Sequence, residues 1–391
     1  MLRKGDKIYI LTLLSLAAFL IMKVQRGFSA SEEQGGLWNI IQGIYAVFGL
    51  YQCFKLKDSC LRFSMIRRYK TFVFTIWVMS FFVMLFTIDF GVNSLFRFIM
   101  IPYGFLCFMV FYRIGLTNDI RKYPYILYIT FLIIVYILYT SMRTYYYVLD
   151  DDKGAVADVY YIVGLLPIIF IYTPKKLRIL PFLLTSIAVM MSGKRVGFLA
   201  LSVILVLYFL SNDSDYRKSF ISKLLVFVTL FSVLYFVVVS FSEMFDLQMF
   251  ERLERLEEDG GSGRAEKWEA VWNVTSSEQS IWPLLLGHGY GAAYNQLRGH
   301  VHNDFLEFFY NYGVIAFVLY ISFFVSMVRE CILMYHIHFT YAREFMVAVV
   351  ISIFLAMFSF YAIDCTHITC CSVSLGLILA EWYKFQIRNK L

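Results

Sequence analysis

Apolar runs of about twenty residues recur from one end of this sequence to the other, each long enough to cross a bilayer and separated by short polar gaps. By window length and apolarity they predict twelve membrane-spanning helices, at 8–22, 37–54, 71–88, 95–112, 124–141, 159–172, 179–191, 196–210, 221–240, 305–328, 345–363 and 369–383. Several are shorter than a full span, and only Ser192-Gly193-Lys194-Arg195 separates the seventh from the eighth. The longest interruption runs from Phe241 to His300. The pattern divides the chain into helices 1 to 9 over 1–240, one large loop over 241–302, and helices 10 to 12 over 303–391. The expected fold class is all-α, a polytopic bundle.

Composition sharpens this reading. The 391 residues are 60% hydrophobic and 16% charged, with Phe 40 and Tyr 29 and a mean hydropathy of +0.67, more apolar surface than a soluble domain needs. The net charge of +7 is therefore a topology signal and implies no nucleic-acid partner. Counting the N-terminal tail as the first, the odd-numbered gaps are basic: Arg3, Lys4 and Lys7; Lys55, Lys57, Arg62, Arg67, Arg68 and Lys70; Arg113, Arg121 and Lys122; Lys175, Lys176 and Arg178; Arg217 and Lys218; Arg329 and Arg343; Lys384, Arg388 and Lys390. These gaps and both termini are expected in the cytoplasm, which puts the large loop outside. The basic, apolar start resembles a signal peptide, but no small-residue cleavage site follows closely, so an uncleaved first span is expected. Seven cysteines, none in the large loop, imply no disulfide framework. Asn273-Val274-Thr275 fits a glycosylation acceptor, which matters only in a eukaryotic secretory pathway that nothing here indicates.

Breaks in the charge rule mark candidate chemistry. Lys194 and Arg195 occupy a tight outward turn, where they either answer an anion or anchor to lipid headgroups; Arg97, near an outer helix end, is a weaker case that snorkelling also explains. In the large loop, Phe250, Leu253 and Leu256 recur at helical spacing among charges, predicting a short amphipathic helix. After Gly260-Gly261-Ser262-Gly263, Arg264 opens a second helix on which Trp268, Val271 and Trp272 share a face. A guanidinium at a helix start suits phosphate, although pairing with Asp259 or Glu266 satisfies it equally. Leu286-Gly287-His288-Gly289-Tyr290-Gly291 is spaced unlike a nucleotide-binding loop and reads as a shaped turn. His288, His300 and His302 lack the cysteines and spacing of a zinc site, so no metal is expected.

The stretch on which these features converge is Gly299-His300-Val301-His302-Asn303-Asp304-Phe305-Leu306-Glu307, running on to Tyr310-Asn311-Tyr312-Gly313. It joins the polar loop to an apolar helix, so His302, Asn303, Asp304 and Glu307 are expected at the mouth of a span, with an imidazole that titrates near neutral pH. That is a fitting place for a base acting on a lipid-linked polar substrate. The plainer reading is that His300 and His302 hydrogen-bond loop backbone. Asp304 and Glu307 suit an orienting or sugar-binding role, but acidic residues also favour any helix start. Among the many aromatics, which mostly pack or line the membrane interface, Tyr290 and Tyr310 are singled out as candidate sugar platforms.

Taken together, Ser192-Gly193-Lys194-Arg195-Val196-Gly197, Ser262-Gly263-Arg264 with a Trp shortly after, Leu286-Gly287-His288-Gly289-Tyr290-Gly291, and His302-Asn303 followed by nine residues and Gly313 resemble the bacterial O-antigen ligase and O-antigen polymerase family. The resemblance lies between about Ser192 and Phe317; one departure is Ala316, where the ligase pattern usually has Gly, Thr or Tyr. It implies a bundle of the GT-C-like type in the bacterial inner membrane, with a periplasmic loop and an outward-facing site. It also implies a glycosyltransferase whose donor is a glycan on undecaprenyl pyrophosphate and whose acceptor is lipid-linked. By that resemblance His302 is the base and Arg195 and Arg264 hold the pyrophosphate, with no cofactor, metal or nucleotide sugar; a chain-length regulator is a possible partner. Chemically these types suffice. Fixed guanidiniums stabilise departing pyrophosphate, and a neutral imidazole accepting the hydroxyl proton contributes about a hundred- to ten-thousand-fold.

Three functions fit: a polymerase that extends the glycan on its lipid carrier, favoured by Ala316; a ligase that moves it to lipid A core; and a transporter of lipid-linked sugars. No inverted repeat supports the third, and the one-sided loop suggests chemistry on one face.

Overall fold

A computed structural model describes residues 4–26, 36–55, 63–86, 98, 101–148, 158–192, 194–210, 264–278, 280–289, 291–297, 299–359 and 365–389. These residues are helical throughout, with no strand among them. The helices are α1 (Lys4–Arg26), α2 (Gly36–Lys55), α3 (Ser64–Phe86), α4 (Tyr103–Thr117), α5 (Pro124–Val148), α6 (Val159–Tyr172), α7 (Ile179–Met191) and α8 (Arg195–Ile204), which continues as a π-helical segment, Leu205–Leu210. They are followed by α9 (Arg264–Ser277), α10 (Ile281–Leu286), α11 (Ala292–Gln296), α12 (Asp304–His336), α13 (Ala342–Phe358) and α14 (Cys365–Arg388). Among the described residues, Asp6–Val24, Pro124–Ser141, Asp304–His336 and His367–Arg388 are long and apolar enough to cross a membrane. The expected ninth span at 221–240 and the amphipathic helix around Phe250 to Leu256 lie outside the described residues.

The centre of the bundle is built from α4, α6 and α14. Helices α4 and α6 are apolar around nearly their whole circumference, α14 carries several hydroxyls, and all three are buried on most faces. Close approach is secured by small residues: a Cβ at Gly376 of α14 would sit 2.9 Å from the Phe108 carbonyl oxygen and the Tyr112 nitrogen of α4. Hydroxyls on α14 then cross-link the three helices, Ser372 donating to the Gly104 carbonyl (3.2 Å) and Ser374 to the Gly164 carbonyl (3.1 Å). At one end of the bundle, Lys122 pairs with Asp6 (2.9 Å), Lys384 donates to the Asn118 carbonyl (2.7 Å), and Arg178 pairs with buried Glu344 (2.7 Å), which also accepts from Tyr208 (3.0 Å). These contacts join gaps that the charge pattern assigns to the same side.

The expected span at 305–328 is not one straight helix. Gly313 of α12 has φ 71° and ψ −171°, and the chain reverses there. Residues 304–312 fold back along residues 314–336: Tyr320 donates to Asp304 (2.8 Å), Phe305 meets Tyr320 and Phe324, and Phe309 meets Phe317. Helix α3 lines both arms, with Tyr69 stacked on Phe323, Phe72 touching both Phe308 and Tyr320, and Ser80 bonded to Tyr312 near the tip.

The reversal frees the Tyr310 and Asn311 carbonyls from helical partners, an expensive state away from water. The glycine-rich turn answers it. His288 N–H donates to the Tyr310 carbonyl and Gly289 N–H to the Asn311 carbonyl, both at 2.9 Å. A Cβ on Gly287 would lie 2.3 Å from the Asn311 carbonyl group, and one on Gly313 would lie 2.3 Å from that of Leu285. Gly313→Ala is therefore expected to cost about 2 kcal/mol or more through backbone strain and overlap. A melting curve of purified protein checks this, with Gly43→Ala, where nothing lies within 4 Å, as the near-neutral control.

Candidate functional site

The hairpin carries the His302 segment inward from its tip. With about 1.5 Å of rise per residue, the short arm lowers His302 about 13 Å below Gly313. The helices around it are correspondingly short: α8 and its π segment bridge only about 20 Å between Arg195 and Tyr208 of the polar end, less than a hydrocarbon core of about 30 Å. His302 thus sits in a recess, not at the mouth of a straight span.

The loop that presents it is fixed from three sides. Lys267 donates to the His300 carbonyl and the Trp268 indole to the Val301 carbonyl, each at 3.1 Å. Buried Glu307 holds both the His300 ring (Nδ1 to Oε1, 2.8 Å) and the Val301 N–H (Oε2, 3.1 Å). Asn303 caps α12, its side chain accepting from Leu306 N–H (3.1 Å). Between these anchors His302 takes φ 57°, a left-handed conformation that a side chain other than glycine rarely adopts and that marks a constrained position.

The electrostatics around His302 differ from expectation. Burial, followed by the charges of Arg264, Lys267 and Lys194 and by His300, holds its imidazole down at about 4 instead of 6.5. It does not titrate near neutral pH and is neutral there. The charges of Lys194, just before α8, and of Arg264, at the start of α9, are thus within electrostatic reach of His302. Arg195 opens α8 beside Lys194, but its side chain, like Arg97 and Tyr290, lies outside the described residues.

Other expected site residues have structural partners. Asp304 is fully buried against Tyr320 and ties the hairpin arms together. Tyr310 is buried too, its ring 4.4 Å from that of His288 and its hydroxyl donating to Gln296 (2.5 Å), so it belongs to the small core under the loop rather than to an open sugar platform. On α9 the inward face is Trp268, Val271 and Val274; Trp272 is 57% exposed and leans on Phe309. Sequence reasoning passed over Lys267, although its place one turn after Arg264 puts both cations on one face. It also passed over Tyr160, whose ring lies against Gly197 of α8 and whose hydroxyl is within electrostatic reach of Arg264. Among the described residues no three His, Cys, Asp or Glu side chains gather as a metal-holding group.

The site is thus a neutral, half-buried imidazole facing a cluster of cations, an arrangement that can bind a multiply charged anion and accept a proton beside it. Residues 180–321 match a family model described as O-antigen ligase, a span that includes Lys194, Arg264, Lys267, the 287–289 turn and His302. No curated protein matches the chain.

Because one carboxylate holds two groups of the loop, Glu307→Ala is expected to destabilise by about 2 kcal/mol, the value of charge-assisted hydrogen bonds. Glu307→Gln, which can still accept from Val301, should lose less. Thermal unfolding, with proteolysis around Gly299 to His302 as the local probe, checks the order.

Proposed function

We propose, starting from the match of residues 180–321 to the O-antigen ligase family model, that this chain is an inner-membrane glycosyltransferase that polymerises lipid-linked repeat units on the periplasmic face. The donor is a glycan on undecaprenyl pyrophosphate and the acceptor is the next lipid-linked unit. The observation that carries the reading is the set of cations around a neutral imidazole: Lys194, Arg264 and Lys267 about His302. A pyrophosphate in the recess meets three positive charges in partly desolvated surroundings, where each contributes about 3 kcal/mol to a transition state with developing negative charge. Arg195, adjacent to Lys194, is assigned to the same role.

In the proposed reaction the acceptor hydroxyl oxygen forms a bond to the anomeric carbon of the donor while the bond from that carbon to the pyrophosphate oxygen breaks. The hydroxyl proton passes to His302, and undecaprenyl pyrophosphate leaves as an anion. Glu307 acts at one remove by fixing His300 and Val301, and so the backbone that aims His302. Burial and the nearby cations make His302 a weak base on its own, and the donor corrects part of this. Its negative charge offsets the cations, so proton affinity rises in the complex, when a base is needed.

A ligase that transfers the glycan to lipid A core uses the same groups, and the matched family description favours it as the second reading. The decisive assay supplies purified protein in nanodiscs with a synthetic undecaprenyl-pyrophosphate repeat unit alone. A ladder of polymer is expected, reduced about a hundred- to ten-thousand-fold by His302→Ala and about a hundred-fold by Arg264→Ala. Product only after lipid A core is added makes the enzyme a ligase; no product in either case overturns both readings.

The pH profile is a separate test. A base must be unprotonated, so lowering its pKa extends activity towards acid: the acidic limb of kcat/KM, set by the free enzyme, should fall near 4. The limb of kcat, set by the complex, should lie at higher pH. Coincident limbs near 6.5 would remove His302 from the role.

A further inference from the structure

Helix α10 fits poorly with an extramembrane loop in water. Four of its residues, Ile281, Trp282, Leu284 and Leu286, are apolar and exposed, Trp282 to 64%. Scattered apolar residues on a surface are ordinary, but four on so short a helix form a patch that needs a cover. The neighbouring loop elements are more mixed: α9 exposes Glu266, Glu269 and Asn273 beside Trp272, and α11 exposes Asn295 and Gln296 beside Tyr294.

The position of α10 identifies the cover. Leu285 and Leu286 press their backbone against Gly313 at the tip of the hairpin. From that tip the long arm, residues 314–336, runs about 34 Å, enough to cross a hydrocarbon core. Gly313 therefore stands at the level where lipid chains give way to headgroups. The outward stripe of the long arm begins within its first turns, at Ile315 and Val318, and continues to Val325, all exposed and apolar as a lipid-facing stripe must be. Helix α10 rests against the tip from which that stripe starts, which puts a tryptophan near the depth where an amphipathic ring is favoured.

We propose that α10 is an interfacial anchor, its apolar face bedded in the bilayer leaflet on the site's side. The occupant is lipid rather than a second copy of the chain or another protein, because the patch rests on the reversal where the exposed apolar stripe of the long arm starts. The anchor is coupled to the site. The segment that follows α10 supplies the two N–H groups that hold the hairpin closed, so the bilayer presses on the clamp that aims His302. This inference concerns where the segment sits and stands whether the enzyme is a polymerase or a ligase.

The test uses the full chain in nanodiscs, comparing tryptophan emission of the wild type and Trp282→Phe. Quenching is measured with phosphatidylcholine brominated near the headgroup, with phosphatidylcholine brominated near the chain end, and with aqueous acrylamide. The component lost on substitution should be quenched by the shallow bromines, less by the deep ones, and be shielded from acrylamide. Quenching by acrylamide without quenching by lipid places α10 in water and overturns the proposal; quenching by neither means that protein covers the patch, which overturns it equally. As a second variant, Ile281→Ser with Leu284→Ser, which leaves Trp282 in place, should shift its emission to the red and raise its access to acrylamide in nanodiscs. An unchanged spectrum would also count against the anchor.

Discussion

The crossing of two backbones at Gly287 and Gly313 is the constraint on which the rest of the site depends. A helix that reverses inside a membrane protein exposes carbonyls that neither lipid nor apolar side chains can satisfy. Here the Tyr310 and Asn311 carbonyls receive the N–H groups of His288 and Gly289, and the bonds form only because both chains lack a Cβ where they meet. The Asn311 side chain extends the clamp by accepting from Ala293 N–H at 2.8 Å, which ties α11 to the same point. Once the reversal is fixed, the length of the short arm fixes how far below the tip His302 lies.

Helix ends gather near this segment: Tyr160 of α6 lies against Gly197 of α8 and within electrostatic reach of Arg264. The opposite, polar end is held by Arg178, Glu344 and Tyr208, whose mutual hydrogen bonds partner charge in a mostly buried place. Cations beside a half-buried imidazole act on it more strongly than they would in open water.

Burial first, and then the positive charges around it, keep His302 neutral; under the proposed function an anionic donor would balance those charges. The strained φ of His302 has the same logic, since the surrounding hydrogen bonds to His300, Val301 and Leu306 hold a conformation the residue would not choose alone.

Much of this was legible in the sequence. Apolar run lengths determined the class and most helix positions, because burial in lipid is a matter of composition over a window. The break in the charge rule at Lys194 and Arg195, the Arg264 helix start and the His302-Asn303 pair stood out as candidates, and of these the structure brings Lys194 and Arg264 within electrostatic reach of His302. The spacing from Asn303 to Gly313 was visible too, but its meaning was not: one long apolar helix and a hairpin of two arms share the same periodicity. Only tertiary structure decided between them, because a reversal depends on whether a distant segment, 287 to 289, supplies donors to the freed carbonyls. Likewise the pairing of Asp304 with Tyr320, of Glu307 with His300, and the low proton affinity of His302 arise from groups far apart in the chain or from burial. Local sequence encodes propensity and polarity; the field at an imidazole is a sum over neighbours that only the fold assembles.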